Sequence, residues 1–305
     1  MYSDTLLDIP IIRKIALETI EKVNKASKEY GDAIKAIVLK PAMNEDFFSI
    51  MIERGYPAPH YRFRWCIPRL KIKPVHRFIK ENMNDEDYEG IIMITGVRLK
   101  ESNERTKLMK KRKQTLPIVD LTQNGTIQAA PIIDWTTEEV WRFLLSNSQP
   151  WSGESYEKLF EVYRIADAIE SIKCTKECAL TPTPRFGCWV CTVVRKDKTL
   201  INLINNVGDH VFKKLYQLKN EIRKISQTPE YRIKDEKSGK WRGLNEKGKL
   251  KIIEIFAQAV VEAPEGVQAY MENPFLCQKA IKWLQTYLNK RSNKIVANAL
   301  MNLKA

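Results

Sequence analysis

Four cysteines stand within 18 positions: Cys174 and Cys178 are separated by three residues, Cys188 and Cys191 by two, with nine residues between the pairs. Thiolates are soft donors, and four on one short stretch can enclose a single ion or one cubane. Tetrahedral zinc and a [4Fe–4S] cluster both accept four cysteines. The CxxxC spacing is unlike the usual zinc knuckle, and Trp189, Val190 and Val193 beside the second pair supply an apolar shield that tunes a cluster. An iron–sulfur centre is therefore the expected occupant, with zinc as the alternative and unliganded or disulfide-bonded thiols as the third reading. Lys173, Lys176, Arg185 and Arg195 flank the pairs, where positive charge lowers thiol pKa values and draws in anions. Cys66, within RFRWC and among Arg62, Arg64 and Arg69, has a cationic setting suited to a reactive thiol or to anion binding, or else it packs. Cys277, on an apolar helical stripe, reads as a small buried hydrophobe.

A second constellation follows the apolar run GIIMIT. Gly96, Val97 and Arg98 come directly after it, then Glu101, Ser102 and Arg105. Turn residues and a helix N-terminus at the carboxyl end of a parallel strand face a ligand, and two arginines there can fork onto phosphate or sulfate. Gly96, Arg98, Ser102 and Arg64 are the candidate cofactor-binding residues, and Cys66, Arg98 and Arg105 the candidate catalytic ones. Arginines at a helix start also form plain surface pairs. Trp135 and Trp141 read as packing residues near a helix entry.

These residues need elements to hold them. Ile9 to Tyr30 is predicted to be an amphipathic helix opening on Pro10, Ala33 to Leu39 a short strand, and Glu45 to Arg54 and Pro74 to Asn82 helices. Gly90 to Thr95 reads as a strand buried on both faces. A charged helix over Glu101 to Lys113, a strand near Thr126 to Ile132, a helix over Thr136 to Leu145 with Thr136 or Thr137 as its cap, and a helix from Glu154 to Ser171 complete an α/β alternation with a parallel sheet. The cysteine segment is irregular. Beyond it the chain reads as mainly helical, apart from a polar exposed loop or hairpin over Pro229 to Lys249. The expected organisation is an α/β domain over 1–172, a metal-cluster segment over 173–199 and a basic, mainly helical region over 200–305.

The composition agrees with a folded protein: 305 residues, 44% hydrophobic, enough for one large core or two modest ones. A disordered tail, a collagen-like fibre and a disulfide mini-protein are excluded. No run reaches the roughly 18 apolar residues of a membrane span, and the start, MYSDTLLDIP, lacks the layout of a signal peptide, so a cytoplasmic protein is expected. Lysine and arginine exceed the acids by 51 to 37, and the excess is concentrated from Thr192 onward, with 22 basic and 11 acidic residues. Such an imbalance points to a polyanion partner or to a solvated helical surface rich in lysine.

Taken together, GVRxxESxxR (Gly96 to Arg105), PIIDWTTEEVW (Pro131 to Trp141) and SDTLLDIP (Ser3 to Pro10) resemble the phosphoadenylylsulfate reductase group of adenine nucleotide α-hydrolases. More narrowly, GYPAPHYRFRWCIPRLKIKP (Gly55 to Pro74) and RFGCWVCTVVRKDKT (Arg185 to Thr199) resemble the DndC sulfurtransferases of bacterial DNA phosphorothioation systems. The resemblance implies an incomplete parallel-sheet α-hydrolase-like domain, a [4Fe–4S] centre on Cys174, Cys178, Cys188 and Cys191, ATP as the nucleotide of the full-length family member, and DNA, a cysteine desulfurase and DndD- and DndE-like proteins as partners. The function it implies is nucleotide-dependent placement of sulfur in the DNA backbone. The family's SGGxDS phosphate loop, which should precede SDTLLDIP, is missing: no two of the twelve glycines are closer than four positions. An N-terminal truncation of a complete enzyme, inactive in ATP handling, is the expected explanation, ahead of a natural short form. The rival functions are a true phosphoadenylylsulfate reductase, for which the chain lacks an ECGLH-like ending and an adjacent cysteine pair, and a non-enzymatic, metal-stapled DNA-binding subunit.

Overall fold

The computed structural model describes residues 1–82, 91–101, 103–111, 117–121, 126–167 and 184–304. Two compact units emerge. One comprises Met1–Val75, residues 165–167 and the chain from Pro184 onward; the other is built on His76–Arg164.

In the first unit, β1 (Tyr2–Ser3) leads through the Thr5–Ile9 segment into α1 (Pro10–Lys28), and β1 pairs in parallel with β2 (Val38–Leu39). Pro10 opens α1 as the sequence predicts. The predicted strand over Ala33 to Leu39 shortens to two residues, because the Asn24 side chain takes both backbone groups of Ala36, accepting from its N–H at 2.8 Å and donating to its carbonyl at 3.0 Å. That pair of bonds replaces a sheet ladder with a side-chain amide.

Helix α2 (Phe47–Ile52) is buried on every face. Such a helix needs a partner surface on all sides: α9 (Glu246–Glu262) lies against it, and Tyr270 of α10 (Gln268–Glu272), Trp65 and Trp189 pack on its phenylalanines. The C-terminal region also holds α7 (Lys198–Val207), α8 (His210–Gln227), α11 (Pro274–Leu288) and α12 (Lys294–Lys304), with the hairpin β6 (Arg232–Lys234) and β7 (Trp241–Leu244) between α8 and α9. Phe256 of α9 lies at the middle, edge-on to Phe48, Tyr270 and Trp283 at centroid separations of 5.0, 5.4 and 5.7 Å, distances at which such pairs add to simple burial. The Tyr270 hydroxyl donates to Asp46 Oδ1 at 2.6 Å, and Asp46 also caps α2 through the Ser49 amide. Burial, then the Asp46 carboxylate, pushes the Tyr270 phenol well above its usual range. Cys277 packs half-buried against this core as expected, its thiol donating to the Leu303 carbonyl.

The second unit carries most of α3 (Lys73–Asn82), then β3 (Ile91–Ile94), α4 (Asn103–Lys111), β4 (Ile118–Leu121), β5 (Thr126–Ala129), α5 (Thr137–Ser146) and most of α6 (Glu157–Asp167). Its sheet has the order β3-β5-β4, with β3 parallel to β5 and β4 antiparallel. The architecture is mixed α/β with parallel pairs and a helical C-terminal region. Two details of the sequence reading need correction. The strands form separate short sheets, one of them closed by an antiparallel strand. The strand over Gly90 to Thr95 is also not buried on both faces: Ile91 and Met93 are half-buried while Ile92 and Ile94 are 64% and 70% exposed, since no described element of this unit covers that face. The cap of α5 is as read: Thr136 accepts from the Glu139 amide and Glu139 reaches back to the Thr136 amide, a reciprocal capping box. Trp141 is buried edge-on against Phe160 and Tyr163, and Trp135 packs on Phe143, which are the structural roles expected of them.

Truncating the side chain shared by three aromatic contacts leaves a large void. Phe256→Ala is expected to lower unfolding free energy by about 3–5 kcal/mol, read as a fall in the urea midpoint at unchanged slope; a loss below about 1 kcal/mol would mean that α9 is not the centre of this core.

Candidate functional site

Cys188 and Cys191 lie on a tight turn closed by the Cys191 amide donating to the Cys188 carbonyl at 3.0 Å. The turn is seated on the Thr5–Ile9 segment. Asp8 and Cys188 form an isolated antiparallel bridge, the Trp189 amide donates to the Leu7 carbonyl at 2.9 Å, and the Ile9 amide donates to the Gly187 carbonyl at 3.3 Å. Between them Trp189 is fully buried, and its indole N–H reaches the Gly266 carbonyl at 2.7 Å, so the turn is pinned to the C-terminal helical core as well.

Side chains complete the seat. The Asp8 carboxylate accepts from the Tyr2 hydroxyl at 2.8 Å, the Thr5 hydroxyl at 2.8 Å and the Thr5 amide at 3.3 Å. The Thr5 hydroxyl is 3.1 Å from Cys188 Sγ, and the Cys188 thiol donates to Asp8 Oδ1 at 3.7 Å. The neighbouring Asp4 accepts from the Leu6 amide at 2.8 Å and pairs with buried Arg13 at 3.1 Å, which holds the segment in place from behind. Burial first, and the Asp8 carboxylate second, push the Cys188 thiol up to about 12. An enclosed sulfur beside a carboxylate keeps its proton until a metal or another cation displaces it.

Burial, followed by Cys191, raises the Cys66 thiol. The cationic setting read from Arg62, Arg64 and Arg69 does not lower it: Arg69 pairs with Glu45 at 2.9 Å, Arg64 lies over the Tyr61 ring at 4.9 Å, and Arg62 is exposed. Lys71 is the cation that lowers both Cys66 and Cys188, as a smaller influence. The structure thus places Cys188 and Cys191 on one turn, with Cys66 within electrostatic reach of Cys191. Cys174 and Cys178 lie outside the described residues, and among the described residues no three His, Cys, Asp or Glu side chains are gathered tightly enough to hold a metal ion. The donor chemistry of Cys188 and Cys191, two soft sulfurs on one turn with a third nearby, fits thiolate ligation of iron or zinc.

The anion constellation belongs to the second unit. Arg98 Nη1 donates to the Thr137 hydroxyl at 3.1 Å and to the Trp135 carbonyl at 3.4 Å, which ties the turn after β3 to the start of α5. Gly96 has ordinary space around it and a φ open to any residue. Ser102 and the Arg105 side chain lie outside the described residues. Sequence reasoning did not anticipate Thr5 and Asp8 as the seat of Cys188; the available signal was the density of Asp and Thr in SDTLLDIP ahead of the first helix.

Residues 13–194 match the family described as phosphoadenosine phosphosulfate reductase domain. An uncharacterized protein of Methanocaldococcus jannaschii is 32% identical over 144 residues, 47% of this chain and 26% of the archaeal protein. The chain therefore spans about a quarter of the length of that curated relative. No solved structure matches.

The raised thiols make a kinetic expectation. In reduced protein freed of metal, Cys66 and Cys188 should react with iodoacetamide at pH 8 more than about ten-fold slower than glutathione, because only thiolate attacks. Mass-spectrometric time courses check this, and a faster reaction at Cys188 would contradict its enclosure. Asp8→Ala, which removes the shared acceptor, should destabilise the fold by about 2–3 kcal/mol, measured as a lower Tm.

Proposed function

The chain belongs to the phosphoadenosine phosphosulfate reductase domain family, and from that premise we propose that it is the sulfur-transferring subunit of a nucleotide-dependent system that places sulfur in the DNA backbone. The observation that carries the reading is the seating of the Cys188–Cys191 turn on the Thr5–Ile9 segment with Cys66 beside it. The Cys188–Cys191 turn thereby stands on a fixed seat, and Cys66 follows a cationic, aromatic loop, His60–Arg64. The basic balance of the chain from Thr192 onward supports a polyanionic substrate.

Cys188 and Cys191, with Cys174 and Cys178 from the sequence spacing, would hold a [4Fe–4S] cluster, which supplies one-electron chemistry and a sulfur-bearing iron centre when bound. Zinc on the same thiols is the alternative. The chain's own residues do the rest. Asp8 and Thr5 fix the position of Cys188 and keep its proton until a metal takes that place. Exposed Arg62 and Arg64 attract a phosphate-bearing strand toward Cys66, whose burial keeps its thiol protonated and protected from stray oxidation until a substrate draws off the proton. Arg98 holds the turn after β3 at the start of α5, where it would meet an anionic group together with Gly96, Ser102 and Arg105, its neighbours in sequence.

Anaerobic purification of the wild-type chain is expected to give brown protein with iron and sulfide in near-equal amounts, and the Cys188→Ala/Cys191→Ala double variant should lose at least about nine-tenths of both. Reconstituted with a cysteine desulfurase, ATP and the other subunits of such a system, the wild type should yield phosphorothioate dinucleotides on nuclease digestion of DNA, and the double variant none. Sulfite release from phosphoadenylylsulfate, with no sulfur appearing in DNA, would replace this reading by that of a reductase.

A further inference from the structure

Resting on the DNA reading above, we propose that the β6–β7 hairpin, Arg232–Leu244, is the element that grips the DNA strand and leads it toward the thiols. The hairpin carries five basic and two acidic residues. Trp241 is 46% exposed with Lys234 over its ring at 6.0 Å, and Lys234, Lys237 and Lys240 are exposed with no ion-pair partner among the described residues. Of the two acids, Asp235 is engaged by the Ser238 amide and hydroxyl, each at 2.7 Å, and by Arg242 at 2.6 Å, while Glu236 stays exposed. A large exposed indole among unpaired ammonium groups is poorly accounted for by solubility alone. It is the combination that holds single strands, with bases stacking on the ring and phosphates meeting the lysines.

Its base is rigid, as a gripping element requires. Gly55 has φ +65°, the Leu244 amide donates to its carbonyl at 2.6 Å, and a Cβ on Gly243 would come within 2.7 Å of that carbonyl oxygen. Arg232 donates to the carbonyls of Ser226, Arg242 and Gly243, so this cation is committed to the fold rather than to a ligand. From Gly55 the chain runs directly to the thiols. The Ala58 amide donates to the Ser226 hydroxyl at 2.8 Å, the Thr192 hydroxyl donates to the Pro59 carbonyl at 2.6 Å, and Tyr61, Arg62 and Arg64 follow, all exposed, before Cys66. The hairpin base, the cationic loop and the cysteine turn are thus held on one stretch of twelve residues, Gly55 to Cys66.

The test is fluorescence anisotropy of the full chain with fluorescein-labelled single-stranded and duplex DNA over a series of KCl concentrations. Trp241→Ala should weaken single-strand binding about ten-fold and Trp241→Phe should largely retain it. Lys237→Gln/Lys240→Gln should flatten the duplex plot of log K against log salt by about two. Circular dichroism and Tm confirm that each variant is folded. Unchanged affinity and slope in folded variants would overturn the assignment, as would wild-type binding of polyglutamate as tight as binding of DNA, or no binding of DNA. The hairpin variants should keep full iron, and the Cys188→Ala/Cys191→Ala variant should keep DNA binding. A failure of the sulfur-transfer reading is thereby told apart from a failure of this one.

Discussion

The structure depends on one junction, the antiparallel meeting of Asp8 with Cys188. Two backbone bonds and a shared carboxylate fasten the cysteine turn to the segment ahead of the first helix, although the two are separated by 180 positions. It seats Trp189 from one side while the Gly266 carbonyl holds its indole from the other, and the Thr192–Pro59 bond adds a tie from the turn to the loop that leads to Cys66. Each bond is of modest worth, but the groups are partly or wholly enclosed, and leaving any of them unpaired costs more than the bond itself contributes.

A second constraint is the distribution of charge. Several basic side chains are held by the fold: Arg13 on Asp4, Lys219 on Asp197 at 2.6 Å, Arg223 on the carbonyls of Thr192, Val194 and Arg195. Arg223 in this way knits the segment leaving the cysteine turn to α8. What remains free to meet an outside anion is a smaller group, which includes Lys234, Lys237 and Lys240 of the hairpin and Arg62 of the His60–Arg64 loop beside exposed lysines elsewhere on the helices. Net charge alone overstates the binding surface, because it counts structural cations together with exposed ones.

Much of the local structure was legible. Pro10, the Thr136–Glu139 box, the apolar stripe around Cys277 and the turn-rich stretch after Pro229 each have a short-range cause that can be read from a few neighbouring residues. The apolar run before Gly96 misled because it shows what a strand is capable of burying, and not what the rest of its unit provides to cover it. The arginines around Cys66 misled for a related reason: proximity in sequence places them beside the thiol in the chain, yet burial decides its ionisation and the guanidinium groups turn to Glu45, to Tyr61 or to solvent. The seat of Cys188 was out of reach, since it pairs residues from opposite ends of the chain, and neither partner carries a local mark of the other. Of the candidate site, the CxxC turn could be picked out from spacing, whereas the approach of Cys66 to that turn needed the fold.

The buried indole of Trp189 carries a final implication. Through it, a turn in the family-matched region borrows its rigidity from α8 to α10, a part of the molecule beyond the matched residues. The sulfur-bearing loop and the helical bundle are consequently parts of one compact unit. A substitution deep among the helices, far from any sulfur, can loosen the cysteine turn as surely as a change within the turn itself.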